Sequence, residues 1–153
     1  MTRIVTAIET GAPIERVFDY ATTSANWPRW HPASRAVSGA TDHSAAPGER
    51  IIEEIETGGR RWRAVWTVVE RTPPHRWVIE GTAEGGGSAT LTYRLAPRDR
   101  GTRFERELVY RMPNLWLAVM DVLVIRRRMA AQSAEALRRL KSILEQDGAS
   151  TGL

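Results

Sequence analysis

Two charged side chains fall where the sequence alternation predicts a buried position. Glu53 alternates with Ile51 and Ile55 in one strand-like run, and Arg106 alternates with Leu108 in another. An unpaired charge that points inward is costly unless it meets a partner, water or a ligand. Desolvation raises the pKa of such a carboxyl group and a nearby guanidinium lowers it, which is the setting for acid–base chemistry. A one-residue bulge that turns either side chain outward is the alternative.

A histidine lies in the unusual stretch NWPRWHP, where Pro28 and Pro32 bracket a Trp-x-x-Trp pair. Prolines at these positions exclude a long helix and a central strand. Trp27 and Trp30 therefore either plug one end of the core or line the wall of a hole. His31 either presents a ring nitrogen to that interior or lies on the surface.

Other catalytic chemistries lack their sequence signatures. The three histidines do not have the spacing of metal ligands, there is no cysteine, and no GxSxG motif surrounds a serine. The glycines at 85–87 precede a strand and not a helix, which is typical of a hairpin turn and not of a phosphate-binding loop. We therefore expect neither a metal site nor a cofactor.

The composition is that of a globular domain, with 153 residues, 42% hydrophobic residues and 26% charged residues. The net charge of +4 comes from arginines spread among nearly as many acids, including the triplet Arg126–Arg128. Solubility and a GC-rich bacterial coding bias explain that distribution at least as well as a nucleic-acid-binding surface does, and we expect no nucleic-acid partner. No window reaches the roughly 18 apolar residues of a membrane span, so we expect no stable membrane insertion. The absence of cysteine and of a signal-peptide pattern favours a cytoplasmic location.

The hydrophobic period changes three times along the chain. A strand-like start is followed by two helical stretches, then by a long region of period 2, then by a long helix. The short turns in the middle region require antiparallel neighbours, with the first strand at an edge. The predicted strands are 3–9, 33–40, 49–57, 61–71, 76–84, 88–96 and 102–111; the predicted helices are 14–21, 24–30 and 114–146.

A sheet with one apolar face needs a cover, and the C-terminal helix is long enough to provide it. The prediction is an α+β fold in which a curved antiparallel sheet of six or seven strands wraps around that helix, with two short helices after the first strand. Residues 1–146 form one domain and 147–153 form a flexible tail.

Three segments carry a family resemblance. APIERVFDYATTSANWPRWHP resembles the opening of the SRPBCC superfamily, the START/Bet v 1-like helix-grip proteins. GTRFERELVYRMP and SAEALRRLKSILEQ resemble the last strand and final helix of its polyketide cyclase/dehydrase subgroup. The resemblance implies a deep apolar cavity between sheet and helix. Members bind lipids, sterols, hormones or polyketides, and some catalyse cyclisation, dehydration or hydrolysis.

We therefore expect this chain to bind a hydrophobic small molecule in an internal cavity. A polyketide cyclase or dehydratase is the first alternative, with Glu53, Arg106 and His31 as candidate catalytic residues. The second is a homodimer with a packed core, joined through the apolar segment 115–125. The expected ligand-binding residues are large side chains on the inner face of the sheet and on the opposing helix: Trp30, Trp62, Trp66, Trp77, Tyr93, Tyr110, Trp116 and Met120.

Overall fold

A seven-stranded antiparallel sheet forms most of the protein, in the order β1-β7-β6-β5-β4-β3-β2. The computed structural model describes residues 1–57 and 59–151, with side chains through residue 146. β1 lies at one edge because it pairs only with β7, as the sequence predicted. The strands are β1 (Thr2–Thr10), β2 (Ser34–Gly39), β3 (Arg50–Thr57), β4 (Arg60–Thr72), β5 (Arg76–Ala83), β6 (Ser88–Arg98) and β7 (Gly101–Arg111).

The sheet is irregular at two points. The pairing register shifts between Ser34 and Ala36 in β2 and between Val68 and Glu70 in β4. An extra residue in one strand of an antiparallel pair bends that strand and increases its twist. These bulges help the sheet to curve around the C-terminal helix, which is the helix-grip arrangement that the sequence predicted.

The two short helical stretches after β1 also form where they were predicted. They are α1 (Ile14–Thr22) and, after a 3-10 turn at Ser24–Asn26, α2 (Trp27–Trp30). Pro13 precedes α1, and α2 carries Pro28 in its first turn, where the missing amide hydrogen is not needed.

The C-terminal helical region begins near its predicted position but is not one regular helix. It comprises α3 (Leu115–Met120), a π-helical turn (Asp121–Ile125) and α4 (Arg126–Thr151). The side chain of Asn114 caps α3 by accepting a hydrogen bond from the Leu117 amide at 2.9 Å. The helical backbone continues past the predicted end at 146, and the side chains of the predicted tail lie outside those described.

One stripe of α4 packs against the inner face of the sheet. Ala136, Leu137, Leu140 and Leu144 are fully buried, and they follow the helical spacing seen in the sequence. Among the described residues, no helix has both the length and the apolar character needed to cross a membrane.

Candidate functional site

The sheet, α3, the π turn and the first turns of α4 enclose a cavity of about 640 Å³. Its walls are mainly apolar and aromatic, and a few polar side chains lie at its inner end. It reaches the surface beside the β3–β4 and β5–β6 turns, where exposed residues such as Arg60 and Gly86 form its rim. The apolar wall includes Trp30, Ile55, Trp62, Trp66, Leu91, Leu108, Leu117, Ile125 and Met129.

The two tryptophans of NWPRWHP are both buried and both line this cavity. Trp27 packs edge-on against Trp77 with ring centroids 6.2 Å apart, and its Nε1 donates to the Ala21 carbonyl at 3.0 Å. Trp30 packs against Tyr93 at 6.3 Å, but its Nε1 has no hydrogen-bond partner among the described residues. These indoles therefore both close one end of the core and form part of a cavity wall.

Glu53 points inward and lines the cavity, as the alternation along β3 predicted. Its Oε1 accepts a hydrogen bond from Trp66 Nε1 at 3.1 Å. Burial raises the pKa of Glu53, and the Trp66 hydrogen bond and the positive charge of Arg106 only partly oppose this effect. Glu53 is therefore a carboxyl group that holds its proton more tightly than an exposed glutamate does.

Arg106 also points inward, from β7. Its Nη1 donates to Ser133 Oγ in α4 at 2.9 Å, and its Nε has no partner among the described residues. The structure records no ion pair between Arg106 and Glu53, so the two charges do not satisfy each other directly. Tyr93 is paired with Arg106 across β6 and β7. Burial raises the pKa of Tyr93, so its hydroxyl group stays protonated and able to donate.

His31 lines the cavity beside these groups. Its Nδ1 accepts a hydrogen bond from the Ala33 amide at 3.1 Å, so the proton of the neutral ring lies on Nε2. Burial and the positive charges of Arg106 and Arg139 hold the pKa of His31 well below its usual range. At neutral pH the ring is therefore uncharged and offers Nε2–H as a hydrogen-bond donor.

Five of the eight side chains expected to contact a ligand line the cavity, namely Trp30, Trp62, Trp66, Tyr93 and Tyr110. Trp77 does not. It is fully buried behind the wall, stacks on Tyr93 with centroids 5.4 Å apart, and donates from Nε1 to the Ala45 carbonyl at 3.0 Å. The alternation placed Trp77 on the correct face of β5, but the sheet curvature and the α1–α2 segment cover it.

Trp116 and Met120, also expected to contact a ligand, are not among the residues that line the cavity. Trp116 is 70% exposed, whereas Leu117 and Ile125 take the inward positions. The segment LWLAVMDVLVI is apolar on every side, so its pattern does not identify an inner face. The π turn at Asp121–Ile125 further changes the rotation of the residues that follow it.

The buried carboxylate of Asp121 fixes this segment against the sheet. It accepts hydrogen bonds from the hydroxyl groups of Thr2 in β1 and Tyr110 in β7, and it is 2% exposed. Both donors come from adjacent strands, because Thr2 pairs directly with Tyr110. The carboxylate therefore orients α3 and the π turn over the cavity mouth.

Ser133 is a site residue that the sequence reasoning missed. It is buried on the inner stripe of α4, one turn before Leu137, and it accepts the Arg106 hydrogen bond. A polar residue on an otherwise apolar helix stripe was the available signal. Among the described residues, no cluster of three or more histidine, aspartate or glutamate side chains is arranged to hold a metal ion.

Several solved structures share this fold. A Chromobacterium violaceum protein, CV1439, is 17% identical with a TM-score of 0.72, over 95% of this chain and 99% of its own. TTHA0849 from Thermus thermophilus is 15% identical with a TM-score of 0.74, over 94% and 97% of the two chains. Ara h 8.0201 is 10% identical with a TM-score of 0.64, over 94% and 97%.

No curated protein sequence matches the chain. The family model described as "Polyketide cyclase / dehydrase and lipid transport" matches residues 1–145, which is nearly the whole sequence. With the seven-stranded sheet wrapped around the C-terminal helix, this match makes the chain a member of the polyketide cyclase/dehydrase and lipid transport family, within the SRPBCC superfamily.

Proposed function

We propose that this protein binds a hydrophobic small molecule, of the lipid, sterol or polyketide class, inside the cavity. The observation that carries the proposal is the cavity itself, about 640 Å³ with mostly apolar and aromatic walls. Its volume lies within the range of roughly 300–1,000 Å³ that is usual for small-molecule sites. Family membership supports the same class of ligand.

The polar groups at the inner end set the orientation of the ligand in this proposal. Within the described part of the chain, Arg106 Nε and Trp30 Nε1 are donors without partners, and His31 offers Nε2–H. A buried donor without an acceptor costs free energy. A ligand oxygen that accepts hydrogen bonds from these groups therefore contributes more binding free energy than the same oxygen gains from hydrogen bonds to water. The apolar part of the ligand then extends along Trp62, Trp66 and Leu108 towards the mouth.

Titration of the intrinsic tryptophan fluorescence with palmitate, cholesterol and an anthraquinone tests this function, because indoles line the cavity. We expect a saturable change with at least one probe. Ala89→Phe, which fills part of the cavity, should weaken that binding. Ala7→Phe, on the exposed face of β1, is the matched control and should leave the binding unchanged. No saturable response to any probe, with no co-purifying small molecule by native mass spectrometry, would contradict the proposal.

A second candidate function is acid–base catalysis of a cyclisation or dehydration, which Glu53 specifically favours. In its ionised form, this carboxylate can take a proton from a carbon between two carbonyl groups. In this candidate mechanism, Arg106 and the His31 Nε2–H donate hydrogen bonds to the enolate oxygen that forms. Attack of the enolate carbon on a second ketone of the same chain forms the new carbon–carbon bond, and the resulting alkoxide takes the proton that Glu53 removed. Glu53 then removes the second proton from the same carbon and returns it to the departing hydroxyl group, so that water leaves and a carbon–carbon double bond forms. Glu53→Gln should then abolish turnover of a poly-β-ketone while its binding is retained.

A further inference from the structure

The outward face of α3 and the π turn carries large apolar side chains that no other described part of the chain covers. Leu115 is 82% exposed and Trp116 is 70% exposed, whereas the other exposed large apolar residues, such as Val5 and Val69, are single. A contiguous apolar surface of this kind marks an interaction site. We call it the α3 patch; it consists of Leu115, Trp116, Val119, Val122 and Leu123.

The charges beside the α3 patch are positive. From residue 111 to residue 134 the only acidic residue is Asp121, which is buried. The exposed ionisable residues of this stretch are Arg111 and the triplet Arg126–Arg128. At the cavity mouth, Arg60 and Arg61 outnumber Glu84. The α3 patch is thus an apolar surface with a basic border.

This charge distribution decides between the possible occupants. In a symmetric pair of chains each patch would face its copy, and this stretch would place no exposed acidic residue opposite either arginine triplet. An anionic phospholipid surface is complementary instead, because it offers phosphate groups to the arginines and a hydrocarbon boundary to the apolar side chains. An exposed tryptophan also suits the headgroup region, where one end of its ring is apolar and the other is polar.

We propose that the α3 patch docks this protein reversibly on anionic phospholipid membranes. The side chains of the patch enter the headgroup region, and the arginine triplet contacts lipid phosphates. The inner face of the same segment, through Leu117 and Ile125, lines the cavity, so docking places the cavity mouth at the bilayer. Docking does not require an occupied cavity, and its test is therefore independent of the ligand-binding test.

Cosedimentation with vesicles tests the proposal, using phosphatidylcholine alone and phosphatidylcholine mixed with phosphatidylglycerol. We expect binding to the anionic vesicles, weaker binding at higher salt, and little binding to phosphatidylcholine alone. The double variant Trp116→Ser/Leu123→Ser should lose binding. Val5→Ser/Val69→Ser, which removes two exposed apolar side chains on the outer face of the sheet, should keep it.

A charge reversal separates the electrostatic contribution. Arg127→Glu should weaken vesicle binding by roughly tenfold or more. Arg100→Glu, in the β6–β7 turn at the far end of the sheet, should not change it. Equal binding to both vesicle types, or equal effects of patch and control variants, would overturn the proposal. A dimer by light scattering that the double variant dissociates, with no vesicle binding, would assign the patch to a second copy. Circular dichroism confirms that each variant is folded.

Discussion

Trp66 Nε1 donates a hydrogen bond to Glu53 Oε1 at 3.1 Å. The same indole therefore lines the cavity and orients the carboxyl group at the polar end of the cavity. The two residues lie on neighbouring strands, where Trp66 pairs with Ile51, two positions from Glu53. Across the next strand pair, Trp66 faces Gly81. The absence of a side chain at Gly81 leaves the space in which the indole lies flat against β5.

Gly81→Ala is expected to displace the Trp66 ring. A Cβ atom at Gly81 would lie 2.6 Å from Trp66 Cε3, which is closer than van der Waals contact allows. Overpacking of this kind costs about 1–3 kcal/mol of the free energy of unfolding. Urea unfolding measures this loss, and ligand titration measures the change in the cavity. Gly11→Ala is the control, because its nearest contact would be an ordinary 3.7 Å. Equal effects of the two changes would contradict this account.

Glu53→Gln is expected to change how stability depends on pH. Burial raises the pKa of Glu53 in the folded protein above the ordinary value of 4.5. Between the ordinary pKa of the unfolded chain and the raised pKa of the folded protein, the folded state binds more protons than the unfolded state. The free energy of unfolding of the wild type therefore falls as the pH rises through this range. The loss is about 1.4 kcal/mol for each unit by which the pKa is raised.

The glutamine variant does not titrate at this position. Its stability relative to wild type should therefore increase as the pH rises above the ordinary glutamate pKa, and then become constant above the folded-state pKa. Urea unfolding at several pH values measures the difference. Glu54→Gln is the matched control, since Glu54 lies on the outer face of the same strand and is partly exposed. A difference between Glu53→Gln and wild type that does not change with pH would be inconsistent with a raised pKa.

Arg106→Met is expected to weaken the binding of an acidic ligand much more than it lowers the melting temperature. Among the described residues Arg106 makes no ion pair, and its Nη1 contact is with the neutral Ser133, so substitution by methionine leaves no carboxylate unpaired there. Loss of one charge-assisted hydrogen bond weakens binding by roughly tenfold or more. Titration with palmitate and with hexadecanol separates the contribution of the ligand's charge from that of its hydrocarbon chain, because the alcohol has no charge.

Arg103→Met serves as the control for Arg106→Met, because Arg103 lies on the same strand but points to the outer face. A large fall in melting temperature with unchanged palmitate affinity would assign Arg106 a structural role only.

Asp121→Asn is expected to loosen α3 and the π turn from the sheet. The carboxylate accepts from both Thr2 and Tyr110, whereas an amide has only one acceptor oxygen. Leaving one buried hydroxyl unsatisfied costs about 1–3 kcal/mol. Hydrogen exchange should then be faster in α3 than in wild type. Asp42→Asn, on an exposed loop, is the control. Unchanged exchange in α3 would show that Asp121 does not hold this segment.

Much of the fold could be predicted from local patterns. The strand limits follow from turn residues such as those at 85–87 and 99–101, and the short turns force antiparallel pairing. Period-2 alternation also identified Glu53 and Arg106 as inward residues, because a strand alternates faces with every residue. Each of these predictions depends on information contained within a short run of consecutive residues.

The composition of the site depended on contacts between residues far apart in sequence. The segment 115–125 is apolar on all sides, so the sequence alone did not determine that Trp116 faces outward; the contacts of Asp121 with Thr2 and Tyr110 did. Ser133 meets Arg106 only because α4 packs against the inner face of the sheet. The amino-acid pattern determines which face of each strand is buried, and tertiary packing decides which buried side chains border a cavity, since sheet curvature and helix rotation are not encoded locally.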